Sequence, residues 1–315
     1  MNSEPPGARL RGWPWSDDDA LAAGTRCAEF EILRVLGAGG FGIVYLARDH
    51  ALERDVALKE YMPRALAVRG GGGRVELRSP SSAAAFEAGL HGFLGEARLL
   101  AQFEHPSLVR VYRHWEDGAT AFIAMPYLQG VTLHRARRAM GGAPDEAWIR
   151  SVIDPLLGAL EMLHRAGVLH RDVAPDNIVL LPNAPPVLLD FGAARPAGPG
   201  QRTLARASVK PGYAPLEQYA ETERCAQGPW TDLHALGAVV HFMLYGEPPP
   251  PARARQAQPA AGLPTAPAPP TVSPRLHAAM SWALALRPDQ RPRSVAELRA
   301  ALDDGIVPAL PAHRL

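Results

Sequence analysis

From Phe30 the chain reads F-E-I-L-R-V-L, and from Ile43 it reads I-V-Y-L-A-R. Both runs have the two-residue alternation and the β-branched and aromatic content of strands, and the glycines between them predict a hairpin. Val56 to Lys59 predicts a further strand. Residues 62–81, with Gly70 to Gly73 among them, read as an inserted mobile flap. The period then lengthens. Ala83 to Phe103 has the spacing of a helix, with Phe93, Leu94, Ala97, Leu100 and Ala101 on one face. Ala121 to Met125 predicts a strand. Asp145 to Arg165 predicts a helix that buries Ile149, Ile153, Leu156, Leu157, Leu160 and Leu163, with Asp145 as its N-cap. Val168 to Leu180 is two short apolar runs around a polar turn. An apolar helix is expected from Trp230 to about Tyr245, then two more at about Pro274 to Leu286 and Ser294 to Leu302, the last with a Ser294/Glu297 capping box. Residues 248–274 are rich in Pro and Ala and are expected to hold no regular helix.

Composition narrows the function classes. A chain of 315 residues, 47% of them hydrophobic, can bury a sizeable core. A net charge of +1 offers no basic stripe for a phosphate backbone, so no nucleic-acid partner is expected. No apolar run reaches the ~18 residues of a spanning helix and the acidic, Pro-rich start is unlike a signal peptide, so the expected location is cytoplasmic. Cys27 and Cys225 are too few for a disulfide framework and lack metal-ligand spacing.

The chemistry concentrates in H-R-D-V-A-P-D-N, from His170 to Asn177. One loop there carries a carboxylate that can orient a hydroxyl and, five residues on, an amide oxygen that can bind a metal holding phosphates. Upstream, Gly37, Gly39 and Gly42 fit G-x-G-x-x-G, a pattern shared with dinucleotide-binding folds. In those folds the glycines open a helix; here I-V-Y-L follows, which favours a strand, and Glu60 therefore makes a poor ribose ligand. A Walker A loop is excluded because no Gly-Lys-Ser/Thr follows.

Taken together, these stretches resemble the protein kinase family, and K-E-Y-M-P and G-Y-A-P-L-E-Q-Y resemble its bacterial serine/threonine branch. The resemblance covers residues 29 to about 304 and implies an α+β, two-lobed protein kinase fold: a flexible arm at 1–28, a small lobe at about 29–125, a large lobe at about 129–304 and a tail at 305–315. It implies ATP-dependent transfer of the γ-phosphoryl to Ser or Thr hydroxyls of a protein substrate, with Mg²⁺, or Mn²⁺, as the metal. Asp172 becomes the catalytic base, Asn177 and the D-F-G residue Asp190 the metal ligands, and Lys59 the phosphate-binding lysine held by Glu96, with Glu87 as the competing partner. Arg171 would read a phosphate on the activation segment, where Thr203 and Ser208 are candidate phosphosites in a basic surround. Leu36, Val44, Ala57 and Val179 would enclose adenine, with Met125 as gatekeeper and Leu128 donating an N–H at the hinge. Glu217 and Arg291 would pair structurally, and Asp232 would brace the catalytic loop.

The chain departs from that pattern where a lysine usually follows the base, because the position is Ala174. Lys210 stands where a threonine usually bonds that lysine, and is a candidate compensating cation reaching back toward Asp172. Two other readings stay open: a nucleotide-binding pseudokinase scaffold, and a small-molecule phosphotransferase of similar fold. The oligomeric state is not legible.

Overall fold

The computed structural model describes residues 19–189, 195–196, 209–219, 226–258 and 268–305. It divides into two compact units, one of residues up to 97 with 111–127, the other of 98–110 and 128 onward.

The smaller unit is a six-stranded antiparallel sheet. Its strands are β1 (Arg26–Cys27), β2 (Phe30–Gly39), β3 (Gly42–Asp49), β4 (Arg54–Tyr61), β7 (Arg113–Asp117) and β8 (Thr120–Pro126), in the order β1-β2-β3-β4-β8-β7. The glycine cluster is the β2–β3 turn, as its spacing predicts. Gly42 is fixed by its own sheet: a Cβ there would lie 2.1 Å from the Glu60 carbonyl oxygen of β4. Phe30, Trp115 and Phe122 stack in series at centroid spacings of 5.3 Å. Helix α1 (Ala83–Leu100) supplies Phe86, Phe93, Leu94 and Ala97 to this core. It stops three residues before the expected Phe103, and Ala101 is exposed.

Residues 62–81 are not the flap expected from their glycines. They form β5 (Ala67–Arg69) and β6 (Val75–Leu77), an antiparallel hairpin with Ala67 and Val75 buried in the sheet's core. What pins the hairpin is an ion pair invisible to hydropathy. Arg69 Nη1 and Nη2 donate to the two carboxylate oxygens of Glu60 at 2.8 and 2.6 Å, while its Nε donates to the Asp19 carbonyl at 3.1 Å. Tyr45 Oη donates to the same carboxylate at 2.7 Å and accepts from the Leu21 N–H at 3.1 Å. Residues 19–28, assigned to the arm by sequence, are thus built into the unit through Asp19, Leu21 and β1. Burial and the Glu60 charge push the Tyr45 hydroxyl far above its usual range, so it remains a donor.

The larger unit is mainly helical: α2 (Leu133–Ala139), α3 (Glu146–Arg165), α4 (Pro229–Tyr245), α5 (Ala252–Ala257), α6 (Pro274–Ala283) and α7 (Val295–Asp304). Asp145 caps α3 as expected, its Oδ1 accepting the Trp148 N–H at 2.8 Å. Helix α4 is buried from Thr231 to Leu244 and packs on α3, α6 and α7, as an all-round apolar helix must. Arg137 closes its C-terminus by donating to the carbonyls of Met243 and Leu244 at 2.6 and 3.5 Å, and Gly246 ends it at φ 78°. The Pro- and Ala-rich stretch does hold a short helix, α5, contrary to expectation. Prolines 248–251 precede the helix, where a missing N–H costs nothing, and the buried Arg255 donates to the Leu284 carbonyl at 2.8 Å. Ser294 caps α7, but Glu297 reaches the Arg293 N–H, one residue short of a capping box. Residues 107–109 bridge to Leu188 through Leu188 N to Ser107 O and Val109 N to Leu188 O, which accounts for their belonging to this unit.

Removing one member of a buried ion pair costs about 3–5 kcal/mol, because the partner is left charged and dry. Arg69→Met should therefore lower the opening free energy of the β3 and β4 amides by about that amount, read by native-state hydrogen exchange. Adding Glu60→Leu should recover most of it. Unchanged protection in the single variant would mean that the pair does not hold the hairpin.

Candidate active site

Lys59 and Glu60 are neighbours on β4 and so face opposite sides of the sheet. Glu60 goes to the hairpin, while Lys59 Nζ lies 3.6 Å from Glu96 Oε1 and 5.8 Å from the Phe93 ring centroid, both on α1. Glu87, the competing partner, is exposed. Register sets the rest of that face. Gly37 pairs with Val44, Val44 with Lys59, Leu46 with Ala57 and Ala57 with Met125, so Val44, Ala57, Lys59 and Met125 share one side. Leu36 sits at the β2 irregularity between Val35 and Gly37. A Cβ at Gly37, Gly39 or Gly40 would meet nothing within 4 Å, unlike one at Gly42. The protein's own packing leaves these three backbones bare, which fits close approach by phosphate groups. Leu128 and the buried Val179 lie on the larger unit.

In the larger unit, β10 (Val168–Leu169) leads into the polar loop and β11 (Ile178–Leu181) leads out, pairing with β12 (Ala184–Leu188) and β9 (Val131–Thr132). Between them the backbone is held by a carboxylate from α4. Asp232, with no exposed surface, accepts the N–H of His170 at 2.9 Å and of Arg171 at 2.7 Å, and lies 2.8 Å from His164 Nε2. Burial alone would raise its pKa. The His164 hydrogen bond and charge, the His170 charge and the Arg171 N–H outweigh burial, and the carboxyl sits below its usual range. Arg171 takes φ 67°, the left-handed region, and its carbonyl accepts from Gln218 Nε2 at 2.8 Å. That reversal presents Asp172. Its N–H donates to His170 Nδ1 at 3.2 Å, and its Oδ2 accepts from Asn177 Nδ2 at 2.7 Å. With the amide nitrogen committed to Asp172, Asn177 keeps Oδ1 as an acceptor, an oxygen of the kind Mg²⁺ takes. Asp190, Thr203 and Ser208 fall outside the described residues.

Glu217 and Arg291 meet as expected, at 2.7 Å with both side chains buried; Glu217 also accepts from Thr231 Oγ1 at 3.0 Å. Lys210 does not go where the sequence reading sends it. Its Nζ lies 2.9 Å from Asp176 Oδ2, so it is paired with the end of the loop and not with Asp172. The sequence points to neither His164 nor Gln218, which hold Asp232 and the Arg171 carbonyl. Each lies outside the loop's own stretch of chain, and only the fold brings them to it.

The site is thus a carboxylate oriented by an amide, on a loop held from beneath by Asp232. The family of the protein kinase domain matches residues 30–301, and the chain belongs to it. The chain is 33% identical over 287 residues to the serine/threonine-protein kinase PknB of Mycolicibacterium smegmatis, covering 87% of this chain and 42% of that protein. It is 32% identical over 290 residues to a probable serine/threonine-protein kinase of Streptomyces coelicolor, covering 87% of this chain and 39% of that one. This chain therefore spans about two-fifths of these relatives. Among solved structures, the apo form of PpkA-294 is 42% identical with a TM-score of 0.80, over 90% of this chain and all of that one. The kinase domain of Mycobacterium tuberculosis PknI is 25% identical with a TM-score of 0.62, over 90% of this chain and 98% of that one. The fold is accordingly the protein kinase fold.

Because the Asp232 carboxyl is depressed in the folded state, the unfolded chain binds its proton more readily, and stability rises with pH on its account. Its contribution is complete above the unfolded value of about 3.9 and is lost as pH falls through the lower folded value. In urea unfolding, the stability gap between wild type and Asp232→Asn should be widest at neutral pH and shrink below about pH 4. A gap independent of pH would mean that the charge is not what Asp232 contributes.

Proposed function

We propose that this chain is an ATP-dependent protein kinase that transfers the γ-phosphoryl to Ser and Thr hydroxyls of proteins, its own activation segment included. The observation that carries the reading is the Asp172–Asn177 hydrogen bond of 2.7 Å. Asp172 orients the acceptor hydroxyl and takes its proton, while Lys59, held by Glu96, holds phosphate oxygens. Leu36, Gly37, Gly39, Gly42, Val44, Ala57, Met125, Leu128 and Val179 are the nucleotide-contacting positions. Bound Mg²⁺, or Mn²⁺, would neutralise charge on the transferred group; Asn177 and Asp190 are its ligands from this chain. The named relatives are serine/threonine kinases, which supports Ser/Thr over Tyr as acceptor. No helix among the described residues is long and apolar enough to cross a membrane, and we place the reaction in the cytoplasm. Ala174 favours one second reading, a scaffold that binds nucleotide without transfer.

Purified chain incubated with γ-labelled ATP and Mg²⁺ should label Ser or Thr residues, located by mass spectrometry. Asp172→Asn should lower the rate roughly 10²- to 10⁴-fold, the usual contribution of a positioned base. Absence of label from protein that still binds ATP, with generic protein acceptors present, would replace this reading by the scaffold. Label on Thr203 or Ser208 is expected, and Thr203→Ala/Ser208→Ala should reduce transfer to other acceptors. Full activity of that double variant would exclude control through the segment.

A further inference from the structure

The loop that carries the base is poor in positive charge beyond Arg171. Asp172 is followed by Val173, Ala174, Pro175 and Asp176, and Ala174 is fully buried. Two carboxylates on one short loop work against a reaction that gathers negative charge on a phosphoryl group. The structure brings an ammonium to this loop from another segment. Lys210 begins the docking turn, its carbonyl accepting the N–H groups of Tyr213 at 3.2 Å and Ala214 at 3.0 Å, and its Nζ lies 2.9 Å from Asp176 Oδ2. Asp176 is met on its other oxygen by His134 Nδ1 at 3.7 Å.

Asp176 is the middle residue of the single turn Pro175–Asn177, closed by Asn177 N–H donating to the Ala174 carbonyl at 2.9 Å. The last residue of that turn is the one bonded to Asp172. The ammonium is thus tied, through one rigid turn, to the residue that positions the base. Stability does not account for the pair: Asp176 is about half exposed, at 51%, and Lys210 at 32%, and exposed pairs contribute little to folding.

We propose that Lys210 supplies, from the docking turn, the positive charge that the loop lacks at Ala174, and that Asp176 is the tether holding it there. The inference rests on the kinase reading and deepens it. In this arrangement the link between loop and docking turn is inverted, with its cation on the turn and its acceptor on the loop. Charge for transfer is then present only when the docking turn is seated, which couples transfer to the segment that receives the acceptor.

The test is steady-state transfer to dephosphorylated casein by the full chain, with Asp172→Asn as the inactive control. Lys210→Met should lower kcat about 10- to 100-fold while leaving KM for ATP within about twofold, the signature of a contribution made in the transition state. Lys210→Arg should keep at least about a third of the wild-type rate, since it keeps the charge. Asp176→Asn, which frees the cation without removing it, should fall between the two. Adding Ala174→Lys to Lys210→Met should restore most of the rate, because it returns a cation without rebuilding the Lys210–Asp176 link. If that double variant does not fold, the Met and Arg variants carry the test. An inactive wild type overturns the kinase reading and this inference together. An active wild type matched by Lys210→Met overturns this inference alone, and a loss that Arg does not rescue assigns Lys210 a merely structural link.

Discussion

The carboxylate of Asp232 is surrounded by three donors: the backbone N–H groups of His170 and Arg171 and the ring of His164. A carboxylate taken wholly out of water costs several kcal/mol unless its lone pairs are filled, so this cluster is stable only when all three donors converge. Two of them are consecutive backbone groups. The backbone of His170 sets the two N–H groups toward the one carboxylate, and the left-handed φ of 67° at Arg171 then turns the chain that follows. Such a conformation costs a non-glycine residue on the order of 1 kcal/mol or more, which the buried charge offsets. Asp172 comes next in the chain, so its place is set by electrostatics one layer below it. The helix that supplies Asp232 is buried on all sides, and that burial keeps the anchor from moving.

The smaller unit solves a comparable problem with two adjacent residues. A strand directs Lys59 and Glu60 to opposite faces, and each charge needs a partner there. Glu96 on α1 meets the first and Arg69 on the inserted hairpin meets the second. The hairpin is therefore part of what fixes β4 in place. Through β4 it bears on the register that sets Val44, Ala57 and Met125 beside Lys59.

Much of this was legible before any coordinates. The switch from two-residue to helical periodicity marks the units, and the order of motifs singles out Lys59, Glu96, Asp172 and Asn177. What failed has physical causes. Glycines at 70–73 read as mobility because composition cannot register that Arg69, just before them, finds the buried carboxylate of Glu60 nine residues upstream. Prolines at 248–251 read as helix-breaking, yet proline breaks only what precedes it, and α5 begins after them. Lys210 was sent to Asp172 because charge complementarity chooses a partner by sign, whereas backbone geometry chooses by reach. The turn Pro175–Asn177 directs Asp176 toward Lys210 and gives Asn177 to Asp172.

The glycine-rich hairpin shows how a single motif divides between folding and chemistry. Gly42 is required by the sheet, since a Cβ would overlap the Glu60 carbonyl oxygen at 2.1 Å. Gly37, Gly39 and Gly40 meet no such obstacle, and side chains there would have open space. Gly37 and Gly39 lie in β2, where glycine weakens a strand by loss of packing and by added chain entropy. A ligand whose charged oxygens must approach main-chain N–H groups gains from them, because any side chain on that face would hold it off. Gly42 is therefore explained by the protein alone, whereas the open space at Gly37, Gly39 and Gly40 leaves room for a ligand to approach the main chain.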